Sequence, residues 1–391
     1  MENEIQRVYE TLAAWCRDHN YEGHDPFDAL NSKLFQASPF KRSRAARLAW
    51  TQLFKRSPLN LRRLALVPLE RNAKGTALFA LAALAEFRQT GSGSAEDEAR
   101  ELLDDLLRAK IEGLSGAAWG YNFDWQARAF FAPKGTPTIV PTAFAARAFV
   151  EAAQAFVDEE YLKTARSACE FILRDLKRSE ETDEEVCWSY SPLDSTRVFN
   201  ASLLASETLA SVGYLTGEKD LIDWAMRGAR YVVRRARADG SWAYGASDFQ
   251  SWSDNFHTAF ILTSLKRITA ACPDCPDEFY VALRKGYEFW RETFFLASGQ
   301  SKLYPEKLHP ADAHSAGAAI VALTELKALD ATAIDLAEKI ALWAIQNLRD
   351  PSGFFYYQRS RFYTIRTPYM RWSQAWMLYG LAKLLEGIAT D

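Results

Sequence analysis

Residues 240–268 read GSWAYGASDFQSWSDNFHTAFILTSLKRI: an aromatic, turn-rich segment that runs into an apolar helix opening on polar side chains. The same arrangement recurs along the chain. Ala-rich apolar runs that begin at a polar residue start at Lys74, Thr142, Asn200, His257, His314 and Arg371. The last four intervals are 58, 57, 57 and 57 residues, and the first is 68 because residues 119–141 carry an insertion. Aromatic segments precede most of these runs: Trp119-Gly-Tyr121, Trp188-Ser-Tyr190, Trp242-Ala-Tyr244, Leu303-Tyr304-Pro305 and Phe355-Tyr-Tyr357. A fixed period of this length marks a repeat architecture, in which each unit buries its apolar face only against its neighbours.

A second helix follows each apolar one, over 158–177, 219–237, 277–294 and 331–348, with apolar residues at i, i+3, i+4 and i+7 and a charged opposite face. The first helix of each pair, apolar on nearly every side, suits an inner layer, and the amphipathic second suits an outer one. Gly217, Gly240 and Gly353 stand where helices are expected to stop. The last inner helix (371–387) has no outer partner after it, while a spare amphipathic helix opens the chain at 4–19. Closing the ring satisfies both. The expectation is an all-α fold, an (α/α)6 toroid of six inner and about six outer helices. It forms one domain over 1–391, with N-terminal capping helices in 1–60 and helical hairpins over 61–391. An open helical solenoid is the alternative.

Composition excludes several function classes. A net charge of −3 leaves no general basic field for nucleic acid. No apolar run approaches the ~18 residues of a membrane span, and the acidic start does not read as a secretory signal. Five scattered Cys read as reduced thiols, so the expected location is cytoplasmic. The surplus of rings, 12 Trp, 16 Tyr and 24 Phe, must line either a core or a cavity.

The repeats resemble the α/α toroid of the terpenoid cyclase/prenyltransferase type, whose members carry a Gly-x-Trp-x-Tyr-like segment before an inner helix; Gly240-Ser-Trp-Ala-Tyr244 is the best copy. The strings WGYNFDWQARAFFAPKGTPTIVPTAF (119–144), SWSDNFHTAFIL (251–262) and RWSQAWM (371–377) are similar to proteins found with bacterial exopolysaccharide biosynthesis genes. The first resemblance implies a fold. The second implies glycan metabolism and association with exopolysaccharide assembly machinery.

All inner helices of such a ring run the same way, so their positive N-terminal ends and the aromatic loops share one rim. Asp254 and His257 are spaced i, i+3 at one helix start, and Asp312 and His314 repeat the combination one unit on. Capping explains one carboxylate per helix but not the two His, which suit general acid–base work. Tyr121 and Asp124 of the long loop complete the catalytic candidates. Candidate substrate-binding residues are Trp119, Trp125, Gln126, Arg128 and Lys134 of that loop, with Tyr190, Arg197, Asn200, Trp242, Tyr244, Trp252, Tyr304, Arg371, Trp372 and Gln374 of the other rim segments. The Trp and Tyr rings offer stacking faces for a sugar, and the Arg residues favour an anionic one. No cofactor is expected; a divalent metal held by Asp254, His257, His309, Asp312 and His314 is the alternative. Cys272-Pro-Asp-Cys275 lacks the second pair a zinc site needs.

The functional expectation is an enzyme acting on an anionic poly- or oligosaccharide in exopolysaccharide metabolism. Proton abstraction of the uronate lyase or C5-epimerase type is favoured. The alternatives are a glycoside hydrolase pairing Asp124 with Asp254 or Asp312, a non-catalytic glycan-binding scaffold, and an isoprenoid or lipid cyclase.

Overall fold

The computed structural model describes residues 2–127 and 130–390. Three helices come first: α1 (Glu2–Asp18), α2 (Lys33–Ala37) and α3 (Arg44–Arg56). Helical hairpins follow as α4 (Ala73–Thr90) with α5 (Gly93–Arg108), α6 (Ile139–Phe156) with α7 (Glu159–Arg174), and α8 (Phe199–Thr216) with α9 (Lys219–Val233). The series ends with α10 (Asn255–Ala271) and α11 (Asp277–Phe294), α12 (Ala313–Glu325) and α13 (Ala333–Leu348), and α14 (Ala375–Ala389), which is entered through a π-turn over Met370–Gln374. Each even-numbered helix from α4 to α14 packs on the next, and α14 packs back on α4. The ring is closed. The amphipathic α1 lies against α14 and supplies the sixth outer helix, so the fold is the (α/α)6 toroid. Among the described residues no helix is long and apolar enough to cross a membrane.

Inner helices pack on several sides and are buried almost throughout their length, whereas the outer helices bury one stripe. Successive units are also stitched by backbone. The first N–H of α6, α8, α10 and α12 donates to the carbonyl of Tyr190, Tyr244, Leu303 and Tyr357 respectively, in each case from the aromatic loop of the following unit. The loop that opens one repeat therefore satisfies the orphan donor of the repeat before it.

The glycines correct one expectation. Gly217 does end α8 in the left-handed region (φ +74), but Gly240 and Gly353 lie in turns beyond the helix ends. There they let the loop press on the next outer helix. A Cβ on Gly240 (φ +86) would meet the Lys285 carbonyl oxygen of α11 at 2.5 Å, and one on Gly299 (φ +86) the Lys339 oxygen of α13 at 2.2 Å. Backbone cannot yield as a side chain does, and a positive φ adds its own cost. Gly299→Ala is expected to lose about 2–4 kcal/mol of stability, read as a lower midpoint in thermal unfolding followed by circular dichroism. An unchanged midpoint would refute this account of the repeat.

The C-terminal half of the ring interior is tied by charge. Arg147 of α6 forks onto Glu207 of α8 at 2.8 and 2.6 Å. Arg267 of α10 reaches Glu325 of α12 at 2.6 Å and Glu151 of α6 at 3.3 Å. Arg88 of α4 joins Glu151 and Glu386 of α14. All six inner helices contribute to this network, whose members satisfy one another's charge where water is scarce. The Phe144, Phe260 and Trp376 rings pack against each other between it and the opposite end. The toroid is thus a cup.

Candidate active site

The open end holds a cavity of about 1440 Å³ lined by the N-termini of the inner helices and by the aromatic loops. The loops explain how. In an extended segment alternate side chains point to opposite sides. Tyr121, Tyr190, Tyr244 and Tyr357 accordingly line the cavity, while Trp119, Trp188, Trp242 and Phe355 turn into the wall and are fully buried. The indole N–H of Trp119 donates to the Leu106 carbonyl at the end of α5, and that of Trp242 to Val232 at the end of α9. Trp119 and Trp242 are therefore wall residues and not sugar platforms, contrary to the sequence expectation. Each Trp-x-Tyr motif divides its rings between wall and cavity.

His257 and Asp254 meet as their spacing suggests. Asp254 caps α10 by accepting from the His257 backbone N–H at 3.0 Å, and its other oxygen lies 2.7 Å from His257 Nδ1. Placing the proton on Nδ1 fixes the tautomer and leaves Nε2 as the basic nitrogen at the cavity. Trp252 stacks on Tyr244 at 4.7 Å and donates to Asp254. His314 arrives from α12 and shares Phe256 with His257, the Phe256 ring lying 4.2 Å from His257 and 4.4 Å from His314. Rings of Trp372 and Trp376 enclose His314 further, and neither of its nitrogens has a protein hydrogen-bond partner among the described residues. Burial, then the Lys74 and Arg371 charges, hold His314 well below the ordinary histidine range.

Because its folded-state affinity for protons is depressed, His314 contributes stability above the unfolded pKa of ~6.5, and that contribution is lost as pH falls through the window below it. Thermal midpoints measured from pH 7 to pH 5 should fall, with a slope of at most ~1.4 kcal/mol per pH unit from this group. His314→Phe should flatten that dependence; an unaltered slope would sink the assignment.

Other candidates separate cleanly. Tyr121, Trp125, Gln126, Tyr190, Asn200, Tyr244, Trp252, Tyr304, Arg371 and Trp372 line the cavity. Asp312 does not. It is 1 % exposed, caps α12 through Ser315 N–H, and accepts from Gln358 and Trp372. Asp124 lies behind the loop, bound to the Lys134 backbone N–H and to Gln36, because the long loop turns back upon itself there. Lys134 pairs with Glu70, Arg197 with Glu180, and Gln374 bonds the backbone of Phe355, all outside the cavity lining. Arg128 lies outside the described residues. No group of three His, Cys, Asp or Glu side chains suited to a metal ion occurs among the described residues, so the Asp254, His257, His309, Asp312 and His314 set does not assemble as one.

Arg371 is at the cavity, but its charge is already answered: Asp25 accepts from its guanidinium at 2.6 and 2.8 Å. The residue that sequence reading passed over is Lys74, in the first turn of α4. Its ammonium sits 4.5, 5.0 and 5.3 Å from the ring centres of Phe144, Phe260 and Trp376, with no carboxylate paired to it among the described residues. Burial first, then Arg371 and Arg147, hold its pKa well below the lysine range despite Asp25. A lysine beside a positive helix end in an otherwise apolar run was the available signal. Lys55, between Phe27 and Trp372, is lowered by burial to about 8, with Asp312 and Asp25 opposing the shift.

No protein-family model and no curated protein matches the chain. Solved structures do. A D-mannose isomerase is similar with a TM-score of 0.62 and 13% identity, over 82% of this chain and 87% of that one. The cellobiose 2-epimerase from Bacillus thermoamylovorans gives 0.61 and 12%, over 83% and 90%. A GH76 alpha-mannanase from Bacteroides thetaiotaomicron gives 0.59 and 13%, over 81% and 87%. At such identities the likeness is one of fold, and the chain is an (α/α)6 toroid whose aromatic cup joins a carboxylate-keyed histidine to a histidine and a lysine that have no partner among the described residues.

Proposed function

We propose that the protein is a sugar epimerase or isomerase that removes and returns a proton at a carbon α to a carbonyl or carboxylate. The observation that carries this reading is the pair of histidines sharing Phe256 at one cavity. His257, oriented by Asp254, takes the proton at Nε2. In the reverse direction His314, kept neutral by its surroundings, takes the proton from the opposite face and the His257 imidazolium returns one, so the two histidines carry one proton between them. Two groups acting on opposite faces of the carbon invert it. Lys74, with no carboxylate paired to it among the described residues, faces the oxygen on which negative charge grows, and a preorganised donor in a water-poor site is worth most there. The sugar chemistry of the structures this chain resembles supports the reading, as does a ring-lined cavity larger than the ~300–1,000 Å³ of most small-ligand sites, which suits an oligosaccharide end.

Hydrolysis needs two carboxylates across the glycosidic bond; of the sequence candidates only Asp254 reaches the cavity, where Asp239 and Glu306 are the other lining carboxylates among the described residues. An isoprenoid substrate fits poorly beside Lys55, Lys74 and Arg371. Of these, Arg371 is held by Asp25, whereas Lys55 and Lys74 have no carboxylate paired to them among the described residues and suit a sugar bearing an acidic group.

Incubation in D₂O with D-mannose, D-glucose, cellobiose and uronate-containing oligosaccharides tests the proposal. Expected is deuterium at the carbon beside the carbonyl or carboxylate, together with an epimer or ketose. New reducing ends without exchange would make it a hydrolase. Binding without exchange, unaltered by loss of both histidines, would make it a scaffold.

A further inference from the structure

Between Ala29 and Leu69 the chain has nine Lys or Arg and no Asp or Glu, although the whole protein is at −3. The same stretch holds seven of the large apolar side chains that stand exposed, among them Phe40, Leu53, Leu59, Leu64 and Leu66. Leu64 is 77% and Leu59 69% exposed. Such side chains would normally be hidden. They are not loose. The segment has its own small core of Ala29, Phe54, Ala65 and Val67. Arg62 is buried on Asp28 at 2.6 Å, and Ser32 donates to the Ala65 carbonyl. Arg62 is spent on that core, but Lys33, Lys41, Arg42, Arg44, Arg56 and Arg63 are exposed like the leucines, so the segment holds both kinds of side chain toward solvent.

We propose that this face docks the protein on an anionic lipid bilayer. Leu and Phe side chains enter the boundary between headgroups and acyl chains while Lys and Arg meet the negative surface. Charge chooses among occupants: a second copy using the same face would set this excess of positive charge against itself, and a soluble acidic glycan would have no use for the leucines. α3 belongs both to this face and to the site, since Leu53 is exposed on it while Gln52, Lys55 and Arg56 line the cavity. Docking therefore brings the cavity mouth close to the membrane. The proposal does not depend on the sugar reaction.

The test is co-sedimentation of the full chain with vesicles of phosphatidylcholine alone or with about 30% phosphatidylglycerol. Binding is expected only to the anionic vesicles and should weaken with salt. Leu59→Ser/Leu64→Ser and Lys41→Glu/Arg42→Glu should each weaken it at least about tenfold with the circular dichroism spectrum unchanged. Equal binding to both vesicles, binding to neither, or binding unmoved by these variants overturns the proposal. So does self-association in sedimentation velocity that Leu59→Ser/Leu64→Ser abolishes without any vesicle binding, which would assign the face to a second copy.

Discussion

His257→Gln should lower proton exchange into the sugar by about 10²–10⁴-fold, the usual worth of a positioned acid–base group. Gln cannot take up a proton at neutral pH, whereas imidazole Nε2 can. Asp254→Asn is the sharper companion. Asn is as good a helix N-cap as Asp, so α10 should keep its start and the thermal midpoint should move little. What disappears is the carboxylate 2.7 Å from Nδ1, which holds the imidazole tautomer and would stabilise the imidazolium. Exchange should fall by a factor comparable to that of the histidine variant, and the two losses should not add, since they disable one unit. The readout is deuterium incorporation by NMR, with thermal unfolding beside it. Exchange within threefold of the parent in folded His257→Gln would end the assignment of this residue as base.

Lys74→Met should separate activity from stability. Met fills a similar volume among Phe144, Phe260 and Trp376 and brings no group that must be desolvated. Lys74 has a folded-state pKa depressed mainly by burial, so the unfolded chain binds its proton more tightly, and that difference weighs against folding at neutral pH. Removing the amine should leave the thermal midpoint unchanged or about 1–3 °C higher. Exchange should nevertheless fall by about 10²–10³-fold, the cost of losing one donor to a developing oxyanion. Loss of stability together with activity would make Lys74 structural; retention of both would remove it from the site. Lys74→Arg keeps a charge but not the length or shape, so it should not restore exchange.

The 57-residue spacing, the alternation of apolar and amphipathic helices and the unpaired helix at each end were enough to specify a closed ring. These are local and periodic signals, and a repeat that buries its apolar faces only against its neighbours leaves little freedom in arranging them. The Asp254–His257 pairing was likewise legible, because a one-turn separation at a helix start places the two groups together whatever surrounds them. Asp312 and His314 show the limit: the spacing resembles the first pair, but the side-chain amide of Gln358, brought opposite by strand pairing, and the indole of Trp372 donate to the carboxylate, and the histidine has no hydrogen-bond partner among the described residues.

Tertiary structure alone decided which rings face the cavity. The Trp and Tyr of each Trp-x-Tyr motif are equally aromatic, and only the path of the loop, set in Gly240-Ser-Trp-Ala-Tyr244 by contact of Gly240 with the backbone of the next outer helix, sends one to the wall and the other inward. The fate of the charges was equally hidden. Arg371 is answered by Asp25 from 346 positions away, whereas Lys74 has no such partner among the described residues. Periodicity determines which helices touch, but whether a charged group is neutralised or left available depends on contacts between distant parts of the chain, and those exist only once the ring has closed.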